Sequence, residues 1–203
     1  MKKQHQISRD KLQSIYIVLL KRISSGYSAQ ELSFLMGKEA NYISSIETLD
    51  HPPYTDDDLL FISIALKESE LRNYYSKVHE PEMVSVQMER IDSEKKRIYS
   101  CDIITDEGYR QPFFYLEEDL PDSQTDKAHA VIAREAVALM IRTGYFFEAR
   151  FPTDVFRSIN KFIEEIAISP SCIQQALDTF CEAETAPIRK YEHEKEVFLY
   201  VET

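Results

Sequence analysis

The stretch GYSAQELSFLMGKEANYISSIETL, Gly26 to Leu49, decides how the first part of this chain folds. Leu32, Leu35 and Met36 recur at helical spacing before Gly37, and Ile43 and Ile46 recur after it, so each segment offers one apolar stripe to a shared core. Glycine at position 37 suits a helix C′ residue with positive φ, which ends the first segment and redirects the chain into the second. Ser33, four residues earlier, is small enough for two helices to cross closely. The spacing predicts helix, turn, helix.

Ser28, Leu32, Gly37, Ile43, Ser44, Ile46 and Glu47 fall at positions that resemble the lambda-repressor and Cro type, the XRE family of helix-turn-helix proteins. The resemblance covers about Arg9 to Leu66 and implies a first helix, a scaffold helix, a recognition helix over about Glu39 to Leu49 and a closing helix. It also implies sequence-specific binding of double-stranded DNA by a transcriptional regulator. Ala40, Asn41 and Ser45 would then face base edges, with Ser28, Gln30, Lys38 and Tyr42 at phosphate or sugar. Asn41 is the most informative of these, because its amide donates and accepts at once and so matches the adenine edge. Three positions depart from the family pattern: Ala29 stands for a glutamine that contacts phosphate, Lys38 for an aliphatic residue, and Leu49 for a common glycine.

Outward from this stretch, Leu12, Ile15, Tyr16, Leu19, Leu20 and Ile23 predict the first helix. Its polar residues Lys11, Lys21 and Arg22 have two readings, a solvated face or phosphate contact. Residues 1–8 look like a loose polar arm. Pro52 and Pro53 force a loop, and Thr55 followed by Asp56, Asp57 and Asp58 reads as an N-cap with acids in the first turn rather than a metal site. Leu59 to Leu66 closes the small helical core.

Beyond a linker at 71–82 the period changes to two. Val84, Val86 and Met88, then Ile98 and its neighbours, then Pro112 to Leu116, predict a three-stranded meander over 83–118. From 119 onward come an acidic connection with Pro121, a helix from about Ala130, helices starting near Thr153 and Ser169, and a hairpin from Ile188 to Val201. That element order is winged-helix-like, but the segment from Ser169 to Cys181 holds no Lys or Arg. This C-terminal module, 119–203, therefore reads as a surface for dimerisation or for a protein partner. The expected architecture is mainly α with a small β part: a Cro-like bundle over 1–70, the linker, the meander and the C-terminal module.

The chain has 203 residues, is 43% hydrophobic and carries a net charge of −11, which is ordinary for a folded protein and argues against a generally basic nucleic-acid coat. Residues 1–50 differ: Lys2, Lys3, Arg9, Lys11, Lys21, Arg22 and Lys38 outnumber Asp10, Glu31, Glu39, Glu47 and Asp50 by two. Cys101, Cys172 and Cys181 have no ligand spacing and imply reduced thiols in a cytoplasm. No segment has the length of a membrane span. The five histidines are scattered and the four glycines form no phosphate loop, so catalytic residues, a metal and a cofactor are not expected. Two classes of function stand: an XRE-type regulator acting as a homodimer, or a non-catalytic interaction module, antitoxin-like in one version, that keeps the helix-turn-helix.

Overall fold

The computed structural model describes residues 4–75, 82–120, 127–163, 166–193 and 196–203. Among them the elements are β1 (His5–Ser8), α1 (Arg9–Ser24), α2 (Ala29–Leu35), α3 (Tyr42–Glu47), α4 (Asp56–Ala65), β2 (Met83–Asp92), β3 (Lys96–Ile104), β4 (Arg110–Asp119), α5 (Lys127–Arg142), α6 (Pro152–Phe162), α7 (Pro170–Cys181), β5 (Ile188–His193) and β6 (Val197–Glu202), with 3₁₀ turns at Leu71–Tyr74 and Tyr145–Phe147. Contacts divide the chain into two units, Met1–Gln30 with Asn41–Asp122, and Glu31–Ala40 with Ser123–Thr203. The expected linker at 71–82 and the acidic connection fall largely on 76–81 and 121–126, outside the described residues.

The first unit is built on an antiparallel sheet in the order β1-β2-β3-β4. The expectation of a small β part with a three-stranded meander is therefore corrected. Strands make up 25% and helices 46% of the structure. The added strand comes from the arm that was expected to be loose: Ile7 alternates with polar neighbours, pairs with Val84 and is buried, and Arg9 donates its backbone N–H to Glu82 at 2.8 Å. A short polar segment with one apolar residue shows little strand signal by itself, and pairing against a longer strand supplies the missing hydrogen bonds. α1 buries Leu12, Ile15, Val18 and Leu19, and its Tyr16 stacks on Phe114 of β4 with ring centroids 5.2 Å apart. α4 starts with a capping box, in which Thr55 N–H donates to Asp58 Oδ2 at 2.8 Å and Asp58 N–H donates to Thr55 Oγ1 at 3.2 Å, so both donors at that helix start are satisfied.

The second unit combines α5, α6 and α7 with the β5–β6 hairpin. α6 and α7 each begin with proline at the first helical position, where the missing N–H has no intrahelical partner to lose. Val155, Ile159, Ile173, Leu177 and Tyr200 fill its core. The decade Glu31–Ala40 belongs here as well. Thr153 donates its hydroxyl to Leu35 O, and Phe198 N–H of β6 donates to Gly37 O at 2.7 Å.

Gly37 has the left-handed φ that the turn demands, +70°, and Gly37 N–H and Lys38 N–H close back on Phe34 O and Ser33 O at 2.8 and 2.9 Å, the paired bonds of a Schellman end. A second constraint was not visible in the sequence. A Cβ at Gly37 would lie 2.6 Å from Phe198 O and 2.8 Å from Val197 Cγ1, so the strand backbone itself excludes a side chain.

Candidate nucleic-acid interface

The recognition segment is shorter than the resemblance implies. α3 spans only Tyr42–Glu47, so Glu39 and Ala40 precede the helix and Asn41 is its N-cap residue. Ile43, Ile46 and Glu47 are fully buried, while Asn41 is exposed and Tyr42 and Ser45 are half-buried. The Ser45 hydroxyl donates to Tyr42 O at 2.8 Å, and Ser45 O accepts from Asp50 and His51 N–H at 2.8 and 3.1 Å. Tyr42 packs edge-on against His51 at 5.2 Å. Ser28 is half-buried and Gln30 exposed at the start of α2. Of the residues expected at DNA, Lys38 and Ala40 fall in the second unit, and Ser28, Gln30, Asn41, Tyr42, Ser45, Lys21 and Arg22 in the first.

The cations expected at phosphates are placed otherwise. Lys21 pairs with Glu68. Lys38 is only 7% exposed. Arg22 is at 0% exposure and holds the centre of an internal network: its Nε donates to Glu47 Oε1 at 2.7 Å, its Nη1 to Glu118 Oε1 at 2.5 Å and to Tyr27 O at 2.7 Å, and its Nη2 to Tyr99 Oη at 3.1 Å. Tyr99 Oη in turn donates to the carboxylates of Glu118 and Glu47, at 3.1 and 3.2 Å. The reading of Arg22 as a backbone contact is corrected. It lies on the stripe with Ile15 and Leu19, and the carboxylates it meets make burial of its charge tolerable.

Electrostatics inside this network follow from crowding two carboxylates on one guanidinium. Burial alone opposes the Arg22 charge, but Glu47 and Glu118 hold its pKa above the ordinary value. Burial pushes the Glu47 carboxyl above the usual carboxylate range, against the pull of Arg22 and with the help of Glu118. Burial also raises the Tyr99 phenol, which keeps it a donor.

Glu118 and Tyr99 were not singled out for this role. Glu118 shares a strand face with Phe114 and Leu116, and an inward carboxylate on an alternating strand signals a buried cation. Elsewhere, burial pushes the Cys101 thiol up to about 12 and the Cys181 thiol up to about 11, so both stay protonated near neutrality. Among the described residues no cluster of three His, Cys, Asp or Glu side chains could hold a metal, and no helix is long and apolar enough to cross a membrane. No family model, curated protein or solved structure matches the chain.

Proposed function

We propose that the chain is a non-catalytic cytoplasmic regulator that binds double-stranded DNA sequence-specifically through its helix-turn-helix segment, as a homodimer. The observation that supports this reading is the polarity of α3: Ile43, Ile46 and Glu47 anchor one side in the core, and Asn41 stands exposed at its head. Asn41 would read an adenine edge, with Ala40 and Ser45 beside it. Ser28, Gln30 and Tyr42 are the polar groups left for phosphate and sugar, since Arg22 and Lys38 are buried and Lys21 is paired.

A duplex held mainly by neutral donors releases few counterions, so binding should show a shallow salt dependence. Selection from random duplexes at low salt would supply a site. On that site Asn41→Ala should cost on the order of 1–3 kcal/mol while leaving random DNA little changed.

The burial of Arg22 and Lys38 favours a second reading. With net charge −11 and those cations withdrawn, the same scaffold suits a protein-interaction module, its partner held by the acidic C-terminal part. Selection that enriches no sequence, together with a stable protein partner recovered through residues 119–203, would replace the first reading with the second.

A further inference from the structure

α5 is poorly covered for so apolar a helix. Of its residues only Ala133 and Val137 are buried, while Val131 is 62% and Leu139 44% exposed. Along its flank toward α7 lie two hollows. One, of about 240 Å³, is lined by Ala130, Val131 and Arg134 of α5 with Cys172, Ala176 and Thr179 of α7. The other, of about 550 Å³, includes Glu135, Ala138, Ile141 and Arg142 with Phe180 and Pro187. Just past the helix end, in the 3₁₀ turn, Phe147 is 81% exposed.

We infer that this flank of α5 is a two-fold interface with a second copy of the chain, the two α5 helices running antiparallel. The inference rests on the homodimer of the proposed function, for which it names the contact, and does not depend on what the first unit binds. Its basis is the order of features along the helix. Glu135 and Arg142 are both exposed and two turns apart, so they share one face. In an antiparallel pair with its axis between Ala138 and Leu139, each Glu135 meets the partner's Arg142. The same register sets each Leu139 against the partner's Ala138. Acid and base, and large and small apolar side chains, thus lie at reciprocal places about one point, as a self-complementary contact requires. Ala138 at that point allows the helices to approach closely. Among the described residues Arg142 donates to Ala138 O at 3.3 Å.

Sedimentation equilibrium of the full chain, without DNA, tests the interface. The wild type should be a dimer. Leu139→Glu should raise the dimer Kd about a hundredfold, because two leucines beside the axis lose their apolar contact and two like charges enter it. Glu135→Arg should raise it roughly tenfold by setting like charges against each other, and Glu135→Arg combined with Arg142→Glu should restore it. All these side chains are exposed, and circular dichroism checks that each variant folds. A monomeric wild type overturns the interface together with the homodimer of the proposed function, whereas a dimer indifferent to Leu139→Glu or unrestored by the charge swap overturns the interface alone.

Discussion

The two units are held together by different chemistry. The first places a guanidinium, two carboxyl groups and a phenol at its centre, whereas the buried side chains of the second are mainly aliphatic and aromatic, with Ser33, Lys38 and Thr153 among them. A polar centre is directional: each partner fixes the orientation of the others, so a single loss strands the rest in a dry place. An apolar centre degrades by degrees, in proportion to volume removed. One unit should therefore fail sharply and with pH, the other gradually and without regard to it.

Arg22→Met gives the largest expected effect. It leaves Glu47 and Glu118 buried without a cation and should cost the first unit about 3–5 kcal/mol. Amide exchange in α1 and β3 reads that loss directly, and equal loss of protection in α7 would show the units to be one cooperative body. Leu177→Ala is the counterpart in the second unit, where a fully buried side chain should cost about 2–4 kcal/mol with no dependence on pH. Chemical denaturation at two pH values compares the pair.

Glu47→Gln sharpens the contrast. Because the folded pKa of Glu47 is raised, the folded state binds more protons than the unfolded one from the ordinary glutamate pKa, about 4.3, up to the raised value. Within that window the Glu47 contribution to stability falls as pH rises. The wild type should thus lose stability relative to Glu47→Gln on going from pH 4 to 7, and a difference that stays flat would refute the shift. Oppositely sloped groups such as Glu68 and Glu117, whose pKa values their lysine partners lower, cancel in this comparison.

The smallest effect concerns helix ends in the first unit. Leu49 and Lys67 occupy left-handed positions at φ +61° and +55°, each closing a Schellman end. Lys67 is exposed, so Lys67→Gly should relieve strain without removing packing and stabilise by about 1 kcal/mol in thermal melts.

These positions show what was legible. The glycine expected at the end of α3 is absent in Leu49, yet the chain adopts the same left-handed turn, because tertiary packing outweighs a cost of that size. Lys38 stands where an aliphatic residue is usual, and the structure buries it; the position was the better guide than the charge. Arg22 was legible twice, once as a helix cation and once as a member of the Ile15 and Leu19 stripe, and periodicity was the stronger signal. β1 was hidden because a single apolar residue carries no alternation, and the role of Gly37 against β6 was hidden because the strand that demands it lies at the far end of the sequence.

That last placement bears on how the protein is made. α2 presents Leu32, Phe34 and Leu35, all at 1% exposure or less in the finished fold, but Thr153, which bonds Leu35, lies 118 residues downstream. At a synthesis rate of roughly 5–20 residues per second, on the order of 10 s separates the two on the ribosome. Through that interval the bond from Thr153 to Leu35 cannot form on the nascent chain, and the turn at Gly37 gains its strand partner only once β6 has left the tunnel.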